Sequence, residues 1–111
     1  MATAESPTAI ALVRRDVPLP TVDLPKLAAR HGYRLAFTVF TDAGPLVTAL
    51  AVARHAEDHN ARAVVVPGFE HVDSVRQFVT DLAALITPMR FYPRGHRWPG
   101  VDPPGARTVD G

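Results

Sequence analysis

The polar side chains that could do chemistry in this 111-residue chain follow two short apolar runs. Glu70 and His71 come shortly after Val64–Val66, and Arg14 and Asp16 come directly after an earlier run. A carboxylate beside an imidazole suits general acid–base catalysis, and an arginine suits an anionic or phosphorylated ligand. Adjacent residues of an extended chain, however, point in different directions. The pattern therefore favours solvated loop residues at positions 70 and 71 over a catalytic pair.

Several established kinds of site lack their required residues. A phosphate-binding loop needs a glycine-rich turn after a strand, and the first such turn, RRDVPLPTVD, has no glycine. A receiver-type phosphoacceptor needs a lysine after its fourth strand, and Lys26 is the only lysine. A serine nucleophile would have to be Ser6 or Ser74, of which the first lies in the N-terminal stretch and the second suits a helix start. These classes of enzyme are disfavoured.

Metal and cofactor sites are also poorly supplied. His55 and His59 are four residues apart and share one face of a predicted helix. A zincin helix has Glu directly after the first His, where this chain has Ala56. The chain has no cysteine, so thiolate ligands and disulfides are excluded. We predict an exposed histidine pair that is not a metal site, and we predict no cofactor.

Apolar periodicity and turn residues predict the elements that position these side chains. Strands are expected at 9–13, 33–41, 63–66 and 89–92. Three helices are expected between them, with Asp23 and Ser74 as N-caps of the first and third and with Gly32 and Asn60 in left-handed positions at the ends of the first two. The apolar stripe of the second helix consists of Leu46, Ala49, Leu50, Ala53 and Ala56. The apolar face of the third helix consists of Val75, Phe78, Val79, Leu82, Leu85 and Ile86.

This order of elements predicts an α/β fold. Strands that alternate with helices through short connections form an open, mostly parallel four-stranded sheet with helices on both faces, a three-layer domain of resolvase-like or flavodoxin-like type. We expect a disordered segment at 1–8, the domain at 9–93, and a basic tail rich in Pro and Gly at 94–111. In such sheets ligands gather at the carboxyl ends of the strands. Those ends define a candidate crevice site made of Arg14, Asp16, Asp42, Glu70 and His71.

Composition limits the cellular compartment and the classes of partner expected for the protein. The net charge is +1, which gives no strong general attraction to nucleic acid. There is no basic and apolar leader at residues 1–10 and no apolar run of about 18 residues, so we expect a soluble, cytoplasmic protein without a membrane partner. The end of the chain is locally basic. Possible nucleic-acid contacts there are Arg90, Arg94, Arg97 and Trp98, the last by base stacking.

Three stretches carry a resemblance to a known family. ALVRRD, AARHGYRLAFTVFTDAG and VVVPGFEHVDS, taken in this order, resemble the catalytic domain of the resolvase/invertase serine recombinases over about residues 9–92. In that family the first strand carries a Y-x-R-x-S pattern, the next unit ends in a D-x-G turn, and the third strand runs into D-R-x-x-R. The resemblance implies a recombinase-like fold.

The residues that match the family's motifs imply lost activity. Arg14 matches the first catalytic arginine, but Asp16 stands where the family has its nucleophilic serine. Glu70 stands at the family's Asp, and His71 and Ser74 stand at its two further arginines. A carboxylate at position 16 would repel the DNA phosphate that the serine attacks. The resemblance thus implies a domain that is not an enzyme.

The sequence leaves three functions open. The first is a catalytically inactive interaction or regulatory module with a protein partner or a second copy of itself. The second is nucleic-acid association through the basic tail. The third is binding of a small anionic ligand at the carboxyl ends of the strands.

Overall fold

A five-stranded mixed sheet forms the centre of the protein. The computed structural model describes residues 6–18 and 21–98; the remaining parts of the expected N-terminal segment and tail, 1–5 and 99–111, lie outside the described residues. The strands lie in the order β2-β1-β3-β4-β5, and only β5 is antiparallel to its neighbour. The strands and helices are β1 (Thr8–Arg14), α1 (Leu24–Arg30), β2 (Arg34–Thr41), α2 (Pro45–Asp58), β3 (Ala61–Val65), α3 (Arg76–Leu82), β4 (Ala84–Ile86) and β5 (Phe91–Tyr92). The predicted α/β class is confirmed.

Strand β1 lies inside the sheet, between β2 and β3, and both of its faces are apolar. Ile10 and Leu12 contribute to the core beneath α2 and α3, whereas Ala9 and Ala11 pack in a second core that includes residues of α1. All four side chains are fully buried. A strand of this kind requires a helical layer on each side, which gives the three-layer arrangement.

The ends of α1 and α2 follow local sequence signals. The carboxylate of Asp23 accepts a hydrogen bond of 3.0 Å from the main-chain N–H of Lys26, as an N-cap does. Gly32 follows α1 with φ of 86°, and Asn60 follows α2 with φ of 52°. Both are left-handed positions, so these three predictions are confirmed.

The buried face of α2 differs from the predicted stripe. Its buried residues are Thr48, Ala49, Val52 and Ala56, whereas Leu46 and Leu50 are exposed. The helix is apolar around most of its circumference, so periodicity did not identify the side that faces the sheet. Thr48 tolerates burial because its hydroxyl donates to the Ala43 carbonyl at 3.1 Å.

The third helix ends earlier than predicted, and the chain then enters a strand. Leu85 and Ile86 belong to β4, where they pair with Val64 and Val65 of β3. The apolar run around them fits a helix face as well as a buried strand, and only the neighbouring β3 decides between them. The predicted strand at 89–92 is reduced to β5, a two-residue edge. The sheet therefore has five strands where four were predicted.

The predicted N-cap of the third helix is also wrong. Ser74 is exposed and lies inside a 3-10 turn, Asp73–Val75, that precedes α3. Another 3-10 turn, Phe69–His71, comes just before it. Val75 occupies the N-cap position and makes no side-chain capping hydrogen bond. These two turns carry the chain from β3 to α3 and determine the position of His71.

In the parts of the chain that the structure describes, every helix is too short or too polar to cross a membrane.

Candidate functional site

The candidate site lies where the strand order changes direction. Strands β1 and β3 are adjacent and parallel, whereas the chain first passes from β1 to β2 on the other side. In open α/β sheets a crevice forms at such a point, outside the carboxyl ends of the two diverging strands, and ligands commonly bind there. Arg14 is the last residue of β1, and His71 lies in the turn after β3.

The His71 ring occupies this crevice. Its Nδ1 accepts a hydrogen bond of 2.9 Å from the main-chain N–H of Arg14. Its Nε2 lies 3.3 Å from the carbonyl oxygen of Pro18, to which it donates, since Nδ1 already serves as an acceptor. Only 1% of the residue is exposed. The imidazole thus joins the turn after β3 to the loop after β1.

The Arg14 guanidinium is also engaged within the protein. Its Nε and Nη2 donate to the two carboxylate oxygens of Asp16 at 3.0 and 3.1 Å, and its Nη1 donates to the Thr48 hydroxyl at 3.2 Å. The Arg14 side chain is 12% exposed, whereas that of Asp16 is 52% exposed. The hydrogen bond from Arg14 lowers the pKa of Asp16 below its ordinary value. The positive charge of Arg14 is therefore already balanced by Asp16.

Known proteins offer no assignment for this arrangement. No protein-family model, curated protein or solved structure matches the chain. The chemistry that the site can support follows from its own geometry.

Two of the predicted crevice residues do not join the others. Asp42 and Glu70 are exposed, and within residues 6–18 and 21–98 neither forms a hydrogen bond with Arg14, Asp16 or His71. The Glu70 side chain instead folds back over Gly68, where an added Cβ would lie 2.8 Å from its Oε1. The structure brings together Arg14, Asp16 and His71, and it assembles no acid–base pair from Glu70 and His71.

Thr48 is the member of this cluster that the sequence did not reveal. Its hydroxyl accepts from Arg14 and donates to the Ala43 carbonyl, which fixes the guanidinium against the start of α2. Its spacing does indicate burial, because Thr48 is four and eight residues before the buried Val52 and Ala56 and so lies on the same helix face.

Trp98, which was predicted to stack on a nucleic-acid base, packs inside the protein. Trp98 is buried, and its Nε1–H donates to the Thr80 hydroxyl at 3.0 Å. Its ring packs against those of Phe69, Tyr92 and His96, with centroid distances of 5.5, 4.6 and 4.6 Å. A base would need an open aromatic face, which this packing does not offer, and the contact of Trp98 with nucleic acid stays a prediction.

The arginines near Trp98 lie on the surface. The Arg90 guanidinium carbon lies 5.8 Å from the Tyr92 ring centroid, and Arg94 Nε lies 3.5 Å from the Asp81 carbonyl oxygen. Arg97 is exposed. Their contact with nucleic acid stays a prediction.

The histidine pair is less exposed than predicted. The rings of His55 and His59 stack on Phe37 of β2 with centroid distances of 4.6 and 5.1 Å, and both residues are half-buried. Stacking on a β2 side chain was not visible from the helix alone. Among the described residues, no group of three or more potential ligand side chains is arranged to hold a metal ion.

Proposed function

We propose that this protein is a non-catalytic interaction module of the cytoplasm that associates with a second copy of itself. The proposal rests on the observation that the polar groups at the candidate site already form hydrogen bonds within the protein. Arg14 is bonded to Asp16 and Thr48, and His71 is bonded to the two ends of the neighbouring loop. A catalytic or anion-binding site would need some of these groups to be free for its ligand.

An apolar surface on α2 supports association. Leu46, Val47 and Leu50 are 72%, 58% and 60% exposed. They lie in the first half of the helix at a spacing that puts them on one side of it. Exposed apolar groups that are close together are typical of protein–protein interaction sites. Burial of these side chains would favour association.

The resemblance to the serine recombinases supports the same proposal. It puts Asp16 at the position of the nucleophilic serine, and it puts His71 and Ser74 at positions of catalytic arginines. A recombinase-like domain with these residues would keep its scaffold and lose phosphate chemistry. That relationship remains a prediction.

The mass of the full chain in solution tests the proposal. Size-exclusion chromatography with light scattering, run over a wide range of protein concentration, should give twice the mass of the 111-residue chain at high concentration. The double variant Leu46→Glu, Leu50→Glu should shift the equilibrium toward monomer because it places charges on the apolar surface. A wild-type chain that stays monomeric at every concentration would contradict self-association.

A matched control separates surface chemistry from net charge. Arg54→Glu changes the net charge by the same two units as the double leucine variant, and the Arg54 side chain is 82% exposed on the same helix. We expect this variant to associate as the wild type does. Equal weakening by both variants would indicate a general charge effect and would count against the apolar surface.

A further inference from the structure

Strand β2 forms an open edge of the sheet. Within the described residues it pairs with β1 on one side and with no strand on the other. It is eight residues long, and after Arg34 its sequence, LAFTVFT, contains no charge and no proline. Native edge strands usually carry a lysine, a proline or another device that prevents pairing with a further chain. This edge lacks those two devices, and a register shift against β1 at Ala36 leaves residues 37–41 as its regular part.

The hydrogen bonds to β1 show which main-chain groups of β2 are free to pair. The Thr41 carbonyl accepts from the Arg15 N–H at 2.8 Å and so points toward β1. Main-chain groups of successive residues in a strand point to alternate sides, so those of Val39 and Phe37 also face β1. The N–H and C=O groups of Thr38 and Phe40 therefore project toward the open side. Unpaired groups of this kind provide a template for another strand.

The side chains on both faces of β2 are only partly covered. Phe40 is 55% exposed and, together with Thr38, lines a groove beside α1 that also includes Val22 and Leu24. Phe37, on the opposite face, is 39% exposed under the two histidine rings. A strand added at this edge would place side chains over both aromatic rings, in addition to its main-chain hydrogen bonds.

From this edge we infer that a second copy of the chain pairs its own β2 antiparallel to the first, so that the two sheets become continuous. The inference rests on the self-association proposed above. Charge supports this occupant, because Arg34 begins β2 and Asp42 directly follows it, and both are exposed. Antiparallel pairing brings Arg34 of each copy to the end of the seam where the other copy has Asp42, and the two-fold axis repeats the contact.

The other edge of the sheet explains why pairing would stop at a dimer. Strand β5 contains only Phe91 and Tyr92, so it offers very little main chain to a further copy. An isologous pairing of β2 with itself is closed, because each copy uses the same edge.

A proline at position 38 tests the seam. Thr38→Pro removes an N–H that points away from β1, so the ladder within the sheet is kept. Because the two copies are related by a two-fold axis, the dimer loses this hydrogen bond twice. We therefore expect the dimer dissociation constant to rise by about 100-fold. Thr38→Ala keeps the N–H and should change the constant by less than about threefold. Sedimentation equilibrium gives the constants, and circular dichroism verifies that both variants are folded.

Charge reversal gives a second measurement that does not depend on proline. Arg34→Asp should weaken the dimer because two acidic ends then meet, and the double variant Arg34→Asp, Asp42→Arg should restore it. A restored dimer supports antiparallel pairing of two copies. Failure of the double variant to restore it would overturn the proposed orientation.

The outcomes separate this inference from the proposed function. If Thr38→Pro leaves the dissociation constant of the wild-type dimer unchanged, the β2 seam is overturned and self-association still stands. The edge would then be available to another segment of the chain or to another partner. A monomeric wild-type chain would overturn both. A dimer that weakens with Thr38→Pro but not with Thr38→Ala supports the seam.

Discussion

The main-chain N–H of Arg14 donates to the Nδ1 atom of His71 at 2.9 Å, across 57 positions of sequence. This contact joins the end of β1 to the turn after β3 at the point where the sheet changes direction. Proteins with such sheets commonly bind ligands at that point. Here a buried side chain of the protein itself lies at that point and links the two loops.

Replacement of His71 should destabilise the protein strongly. His71→Ala leaves the Arg14 N–H and the Pro18 carbonyl without their partner and opens a cavity, so we expect a loss of roughly 2–4 kcal/mol in the free energy of unfolding. Urea denaturation followed by circular dichroism measures it. The neighbouring Glu70 is exposed, and Glu70→Ala should cost about 0.5 kcal/mol or less. Equal losses for the two variants would contradict the structural role of the histidine.

The ion pair of Arg14 with Asp16 should make stability depend on acid pH. The pKa of Asp16 is lowered in the folded protein, chiefly by the hydrogen bond from Arg14, from an ordinary value of 3.8. The contribution of the ionised carboxylate is therefore complete above that value and is lost as pH falls through the folded-state pKa. Asp16→Asn should be less stable than the wild type at pH 7, and the difference should shrink as pH falls below 3.8.

A double-mutant cycle with Arg14→Gln and Asp16→Asn assigns that effect to the pair. The coupling free energy from chemical denaturation should be favourable at pH 7 and should weaken at a pH below the ordinary value of 3.8, as the carboxylate becomes protonated. A coupling that is the same at both pH values would show that Arg14 and Asp16 act independently. Because Asp16 is exposed, salt should also weaken the coupling.

Trp98 should anchor the segment that follows β5. Trp98→Phe removes the hydrogen bond to Thr80 and part of a buried aromatic cluster, and we expect a loss of about 1–3 kcal/mol in the free energy of unfolding. Thermal denaturation measures it. Arg97→Ala, at the exposed neighbouring position, provides the control and should have little effect. A neutral Trp98→Phe would mean that the ring does not contribute to the core.

Two glycines should respond differently to the same substitution. Gly32 has φ of 86°, which is unfavourable for any residue with a Cβ, so Gly32→Ala should cost about 1 kcal/mol in the free energy of unfolding although the added atom meets no neighbour within 4 Å. Gly68 is extended, and its added Cβ would meet only the end of the flexible Glu70 side chain. Gly68→Ala should therefore cost less than Gly32→Ala when both are compared by chemical denaturation.

The local parts of this fold follow from the sequence by itself. The apolar run at β1, the Asp23 cap and the left-handed positions of Gly32 and Asn60 were all predicted, because each depends on residues within a few positions of one another. The alternation of strands with helices likewise determined the α/β class. Because that alternation implies parallel strands, it also predicted a candidate site at their carboxyl ends.

Tertiary structure decided the features that depend on distant partners. The apolar residues of α2 and those around Leu85 fit more than one arrangement, and contact with the sheet selected one of them. The pairing of Arg14 with Thr48 and with His71 spans 34 and 57 positions, so no local pattern could indicate it. Periodicity reports which residues share a side of an element, whereas the packing of that element determines which side is buried and which polar groups find partners.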